Sequence, residues 1–151
     1  MAKQKNQKQA KAKVTTGSKG PRAATNPDDT NQETPVWSLL IFDHDGPWGK
    51  NCCQDLVVLW DEIYTKLRQY EIMTWGQIYQ DKKRNHDVAV GSLIKDARDR
   101  LTLLKLDDYE TLFRFRLSGE QRVWGIRDGR VFKLLWWDPE HHICPSTKKN
   151  T

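Results

Sequence analysis

The segment Phe113-Arg114-Phe115-Arg116-Leu117 alternates strictly between apolar and other residues, and a period of two confines it to an extended strand with two unlike faces. Phe113, Phe115 and Leu117 fall on one side, and Arg114 and Arg116 on the other. Ser118-Gly119 follows as a turn, residues 122–126 read as the next strand, and Asp128-Gly129 is a two-residue hairpin signal. Residues 131–137 are apolar on both faces except at Lys133, which suits a central strand. Pro139 closes that strand because it has no amide to give to the ladder. Three strands joined by tight turns form an antiparallel meander, which needs another layer against its apolar face.

The chain upstream supplies that layer. Residues 36–42 (VWSLLIF) form a short apolar run that ends in the turn formers Asp43, His44, Asp45, Gly46 and Pro47, and they predict a first strand. Asn51 and Gln54 stand in capping-box positions, and Leu56, Leu59, Trp60, Ile63, Leu67 and Tyr70 recur at helical spacing. The pattern predicts an amphipathic helix over 52–71 with Trp60 in its buried stripe. Thr74 and Gln77 form a second capping box, with Met73 and Ile78 at the staple positions, ahead of a short helix from 75 to 80. Residues 81–87 read as a charged loop, and Leu93, Ile94, Ala97, Leu101 and Leu104 predict a helix over 88–105. The expectation is an α+β fold. A small sheet, made of the N-terminal strand and the C-terminal three-stranded antiparallel meander, is covered on one face by two or three helices. Its other face is partly open and carries Arg114 and Arg116.

Charge is distributed unevenly. Of 151 residues, the first 35 hold seven basic and three acidic groups, whereas the remainder holds 18 and 17. Residues 1–35 cannot bury enough apolar surface to offset their ordering entropy, so they are expected to form a disordered basic arm. Residues 36–146 are expected to form one domain, and 147–151 a disordered end. Lys3, Lys5, Lys8, Lys11 and Lys13 are candidate nucleic-acid contacts, because cations spaced along an arm bind phosphates by counterion release; a purely solubilising tail has the same composition. No apolar run approaches the roughly 20 residues that span a bilayer. Three cysteines do not suit a disulfide scaffold, and the N-terminus lacks an apolar signal segment, so a cytoplasmic protein is expected.

The chemistry concentrates near the C-terminus. Arg114, Arg116, Arg122, Arg127 and Arg130 fall within 17 residues on strands that should pair as neighbours. Guanidinium groups offer planar, multi-donor contacts to phosphate, so such strands can form a phosphate platform. Pairing with Glu110, Glu120 or Asp128 across a solvated face is the other reading of the same residues. His141 and His142 are adjacent, so on an extended segment one ring faces the sheet and the other solvent. An imidazole titrates near neutrality and can move protons. Trp136, beside the arginines, can stack on a nucleobase or floor the core. Cys52, Cys53, His141, His142 and Cys144 fit no structural zinc spacing, and Gly46 and Gly49 lack the Lys-Ser/Thr of a phosphate loop. No cofactor is expected.

The run from Leu112 to Pro145, LFRFRLSGEQRVWGIRDGRVFKLLWWDPEHHICP, resembles the closing meander of the RelE/ParE toxin superfamily. There an Arg-x-Arg strand, a Gly turn, a second Arg strand, a hairpin and an apolar strand precede a short end bearing His, Arg or Tyr. The resemblance implies the order strand, helices, three strands over residues 36–146. It also implies a metal-independent endoribonuclease toxin acting on RNA, possible targets including ribosome-bound mRNA, in which the ribose 2′-OH attacks the adjacent phosphate. Carried over, Arg114 and Arg116 take the Arg-x-Arg places, Arg122 the following Arg, and His141 and His142 the acid/base place. Arg127, Arg130 and Trp136 are further candidate RNA contacts, and a small antitoxin protein is the implied partner. The usual terminal Tyr is missing, with Ile143 and Cys144 near its place. The same fold also accommodates a non-catalytic RNA- or protein-binding module and a gyrase-poisoning toxin.

Overall fold

A computed structural model describes residues 28–52 and 55–145. It is an α+β fold built on one five-stranded mixed sheet. The strands are β1 (Val36–Ser38), β2 (His86–Ala89), β3 (Thr111–Arg116), β4 (Arg122–Asp128) and β5 (Val131–Asp138), in the spatial order β1-β5-β4-β3-β2. β1 runs parallel to β5, and every other pairing is antiparallel. The meander β3-β4-β5 is the one its alternation predicts. Its second turn is Gly129-Arg130, one residue beyond the expected pair, with a positive φ at Gly129 alone, the pattern of a type II′ turn.

β2 is a departure from the sequence reading. Residues 86–89 are short and flanked by charge, which hides their period of two, yet they pair with β3 over four positions. The helix expected over 88–105 therefore starts later, as α3 (Lys95–Leu103), after a single 3₁₀ turn at Val90–Ser92. The helix expected over 52–71 is π-wound at Val58–Tyr64 and continues into α1 (Thr65–Glu71). Gln54 of its expected capping box lies outside the described residues. Trp60 is 59% exposed and packs edge-on against Tyr64, not in the core. The capping box at Thr74 and Gln77 does open α2 (Trp75–Gln80), with both reciprocal hydrogen bonds made.

Apolar layers lie on both faces of the sheet, where an open face was expected opposite the helices. On one face Phe113, Phe115, Leu117, Val123, Phe132 and Trp137 pack under Ile63, Leu67, Trp75 and Ile78. On the other, Leu112, Trp124, Ile126, Leu135 and Trp136 pack against Leu93, Ala97, Leu101, Trp48 and Ile143. The reason is Trp124 and Trp136, which alternate onto the same face as Arg114 and bring α3 down on it. Residues 28–35, grouped with the arm by composition, pack on the body as well: Thr30 and Asn31 accept from Arg127, and the Glu33 carbonyl accepts from the Trp75 amide.

Gly125 sits at the irregularity between β4 and β5, where a Cβ would collide with the Lys133 carbonyl and the Phe132 ring. Gly125→Ala is expected to cost about 2 kcal/mol, because backbone and a packed aromatic must both move. A urea midpoint equal to that of the native chain would contradict this.

Candidate active site

The sheet's second face is not covered along its whole length. α3 and its neighbours seal the Leu112–Trp124–Trp136 region, and past it lies a basic cluster. Sheet register builds that cluster. His86 on β2 stands opposite Arg114 on β3, and Arg116 stands opposite Arg122 on β4, which in turn faces Asp138 on β5. Directly opposed residues share a face, so these five side chains leave the sheet on the same side. His141 reaches back over them from the turn after β5, and its Nε2 lies 3.3 Å from Arg114 Nη1.

The turn that aims His141 is fixed by Asp138. This carboxylate is fully buried, and it accepts from the amides of His142 at 2.9 Å and Ile143 at 3.0 Å. His141 itself is left-handed, with φ of 58°. That conformation is uncommon for a side chain with a Cβ, and here it is held where it aims an imidazole at a guanidinium. At the other end of the cluster, the Asn85 side chain accepts from the Arg116 amide, and the Tyr70 hydroxyl donates to the Arg116 carbonyl at 2.6 Å.

The electrostatics of the cluster are unbalanced. Arg114 is 8% exposed and Arg122 6% exposed, and among the described residues neither has a carboxylate within ion-pair distance. Arg122 Nη1 donates to the carbonyls of Gly119 and Gln121, whereas both Nε–H groups, of Arg114 and Arg122, are buried without a partner. Arg116 adds a third cation, its Nε 3.3 Å from the Gly119 carbonyl. Burial, then the Arg114 and Arg116 charges, push the Arg122 guanidinium down to about 10. Burial, then Arg122 and Arg114, hold His141 below the ordinary imidazole range, so at neutral pH it is an uncharged base. A buried Nη–H donating to Nε2 requires that same uncharged form. Among the described residues, two buried Nε–H groups without an acceptor, three cations without a direct ion pair and an imidazole that accepts from one of them thus stand together on this face, with the Asp138 carboxylate beside them.

The other expected site residues lie elsewhere. His142 is exposed and its ring pairs with Glu140 at 3.2 Å. Arg127 is on the opposite face of β4, where its guanidinium stacks 4.5 Å above Trp75 and donates to Thr30, Asn31 and the Gly129 carbonyl. Its place follows from parity, since it is an odd number of residues from Arg122. Arg130 is at the hairpin tip, paired with Glu33. Trp136 does share the arginines' face, but it is fully buried and donates from Nε1 to Asp43, which leaves no surface for a base to stack on. Lys3, Lys5, Lys8, Lys11 and Lys13 lie outside the described residues, as does the end from 146. The sequence reading missed His86, Asn85, Tyr70 and Asp138. None of the four carries a local signal: Asn85 and His86 lie in a short charged stretch, and Tyr70 and Asp138 read as ordinary helix and strand-end residues.

No protein-family model matches the chain, and neither a curated protein nor a solved structure does so. Among the described residues, no helix is long and apolar enough to cross a membrane.

Proposed function

We propose that the protein is an endoribonuclease that cleaves RNA by attack of the ribose 2′-OH on the adjacent phosphate, and that it acts as a toxin held in check by a small antitoxin protein. One observation carries the reading: among the described residues, three guanidinium groups with no direct ion pair gather beside a neutral imidazole whose backbone is held left-handed. Each part has a task in that reaction. Arg114, Arg116 and Arg122 offset the charge that builds on the phosphorane oxygens, and being fixed before the reaction they need no reorganisation. His141 Nε2 takes the 2′-OH proton once a phosphate oxygen replaces it as the acceptor for Arg114 Nη1. The charge stabilisation is supplied by the chain's own side chains, and the step requires no redox partner.

A protein partner is supported by a separate surface. Leu39 and Leu59 are exposed and line a groove of about 300 Å³ floored by Ile63, Val123 and Trp137, and Leu40, Leu56, Val57 and Trp60 are exposed close to them in sequence. An apolar groove with exposed apolar residues at its rim suits a surface that another protein covers. The antitoxin assigned to it, like the cytoplasmic setting it implies, belongs to this proposal. The basic arm adds non-specific affinity for the RNA backbone.

The test is cleavage by the full chain of free single-stranded RNA and of mRNA on translating ribosomes. His141→Ala is expected to lower the rate about 10²-fold, the usual contribution of one positioned proton-transfer group. His142→Ala is expected to leave the rate unchanged, because its ring faces solvent and Glu140. Tight RNA binding with no cleavage on either substrate would leave a binding module in place of a nuclease.

A further inference from the structure

We infer that His86 is the second proton-transfer residue of this site, the acid that protonates the leaving 5′ oxygen while His141 acts as the base. The inference rests on the ribonuclease reading above and adds the half of the proton chemistry that reading leaves unassigned.

Scission by 2′-OH attack needs two proton movements, one away from the nucleophile and one onto the leaving group. A guanidinium is a poor donor for the second, since its pKa lies far above neutrality, and the carboxylate at the cluster, Asp138, is committed to two backbone amides. Two imidazoles remain on this face, and they come from different elements. His141 approaches Arg114 from the turn beyond β5, and His86 approaches it from the neighbouring edge strand, β2. An in-line displacement places its incoming and outgoing oxygens on opposite sides of phosphorus, and so calls for two proton-transfer groups that reach the held phosphate from different directions.

Among the described residues, the buried Nδ1 of His86 has no hydrogen-bond partner. Burial, then the Arg114 charge, lower its affinity for a proton, with Arg122 adding to them, while a hydrogen bond to the Lys82 backbone and the nearby Asp87 carboxylate work the other way. A phosphodiester seated on Arg114 and Arg122 offsets the two repulsive charges and favours the imidazolium when substrate is bound. The step then balances. The 2′ oxygen bonds to phosphorus and its proton passes to His141 Nε2. The bond from phosphorus to the 5′ oxygen breaks, and His86 gives its proton to that oxygen. The products are a 2′,3′-cyclic phosphate and a 5′-hydroxyl, and the two imidazoles are reset by exchanging protons with water.

The decisive experiment compares two RNA substrates cleaved by the full chain, one natural and one with sulfur for the bridging 5′ oxygen, a leaving group that needs no proton. His86→Ala is expected to slow the natural RNA about 10²-fold and to recover most of the native rate on the sulfur substrate. His141→Ala is expected to be slow on both. The pH profile of kcat/KM should lose its alkaline limb in His86→Ala and its acidic limb in His141→Ala. His86→Gln, which keeps the volume and a polar tip, provides the same comparison should the alanine variant not fold. Native rates in both His86 variants, or equal slowing on both substrates, would overturn the assignment while leaving His141 and the ribonuclease reading intact. Failure of the native chain to cleave either RNA would instead remove that reading and this one together.

Discussion

Arg114→Met is expected to cut RNA cleavage by about 10²- to 10³-fold and, at the same time, to raise the melting temperature by roughly 4 °C. The two effects have one cause. Arg114 is nine-tenths buried, and among the described residues it has no carboxylate near enough for an ion pair, no acceptor at Nε, and a side-chain hydrogen bond to the His141 ring alone. Burial in the first place, with Arg116 adding to it, disfavours the charged form and outweighs the opposing influence of Cys144 and Asp138. An uncompensated buried cation is destabilising, and methionine fills a similar linear volume with no charge to desolvate. A gain of about 1 kcal/mol in a body of this size corresponds to the stated shift. An arginine retained only for structure behaves in the opposite way: its loss lowers the melting temperature and spares activity. Measuring both on the same sample separates the alternatives, because a group kept for a substrate's phosphate is stabilising only when that phosphate is present. RNA or inorganic phosphate should accordingly raise the melting temperature of the native chain and not that of Arg114→Met.

The contrast between Arg114 and Arg127 shows how far sequence reasoning reaches here. Both are strand arginines in the same basic stretch, and composition treats them alike. Parity along β4 already separates them, since Arg127 falls on the face of Val123 and not that of Arg122. What parity cannot supply is the neighbour. Arg127 meets Trp75, Tyr79, Thr30 and Asn31, which come from distant parts of the chain and satisfy it. Arg114 meets His86, whose strand is too short and too charged to register as one. The meander, its first turn and the Thr74 cap were legible because each is written in a local pattern that tertiary contacts reinforce, and the second turn was legible to within one residue. The second apolar layer was hidden because Trp124 and Trp136 are each separated from their helical partners by many residues, and only the folded chain shows what covers them. His141 was recognised by type, but its left-handed backbone depends on Asp138, a contact that no periodicity reports.

Asp43→Ala is expected to be the most destabilising of the substitutions considered, at about 3 kcal/mol, with a melting temperature lowered by roughly 10 °C. The Asp43 side chain is 3% exposed and accepts from Arg100 twice, at 2.8 and 2.6 Å, and from Trp136 Nε1 at 3.0 Å. Its backbone amide also donates to the Leu135 carbonyl, so one residue ties α3, β5 and the loop 43–49 into one assembly. Truncation leaves the Trp136 donor buried with nothing to accept from it and a partly buried guanidinium unpaired, and each costs more than the lost contact itself. The carboxylate also sets an acid limit on folding. Burial works to raise its pKa, but the Arg100 and Trp136 hydrogen bonds outweigh that and hold it below the ordinary aspartate value. A group depressed in the folded state contributes stability above its unfolded pKa, near 4, and loses it as pH falls through the lower folded value. The native chain should therefore lose stability on acidification in that window, and Asp43→Ala should lose less, so the two unfolding curves converge as pH drops. Parallel curves would show that Asp43 is not the titrating group. Because the Trp48 carbonyl in the same loop accepts from the Trp137 amide, loosening the loop also frees the end of β5 from which Asp138 positions His141. Cleavage by Asp43→Ala should thus fall even at temperatures where the variant remains folded, which links the stability of this buried pair to the aim of the imidazole.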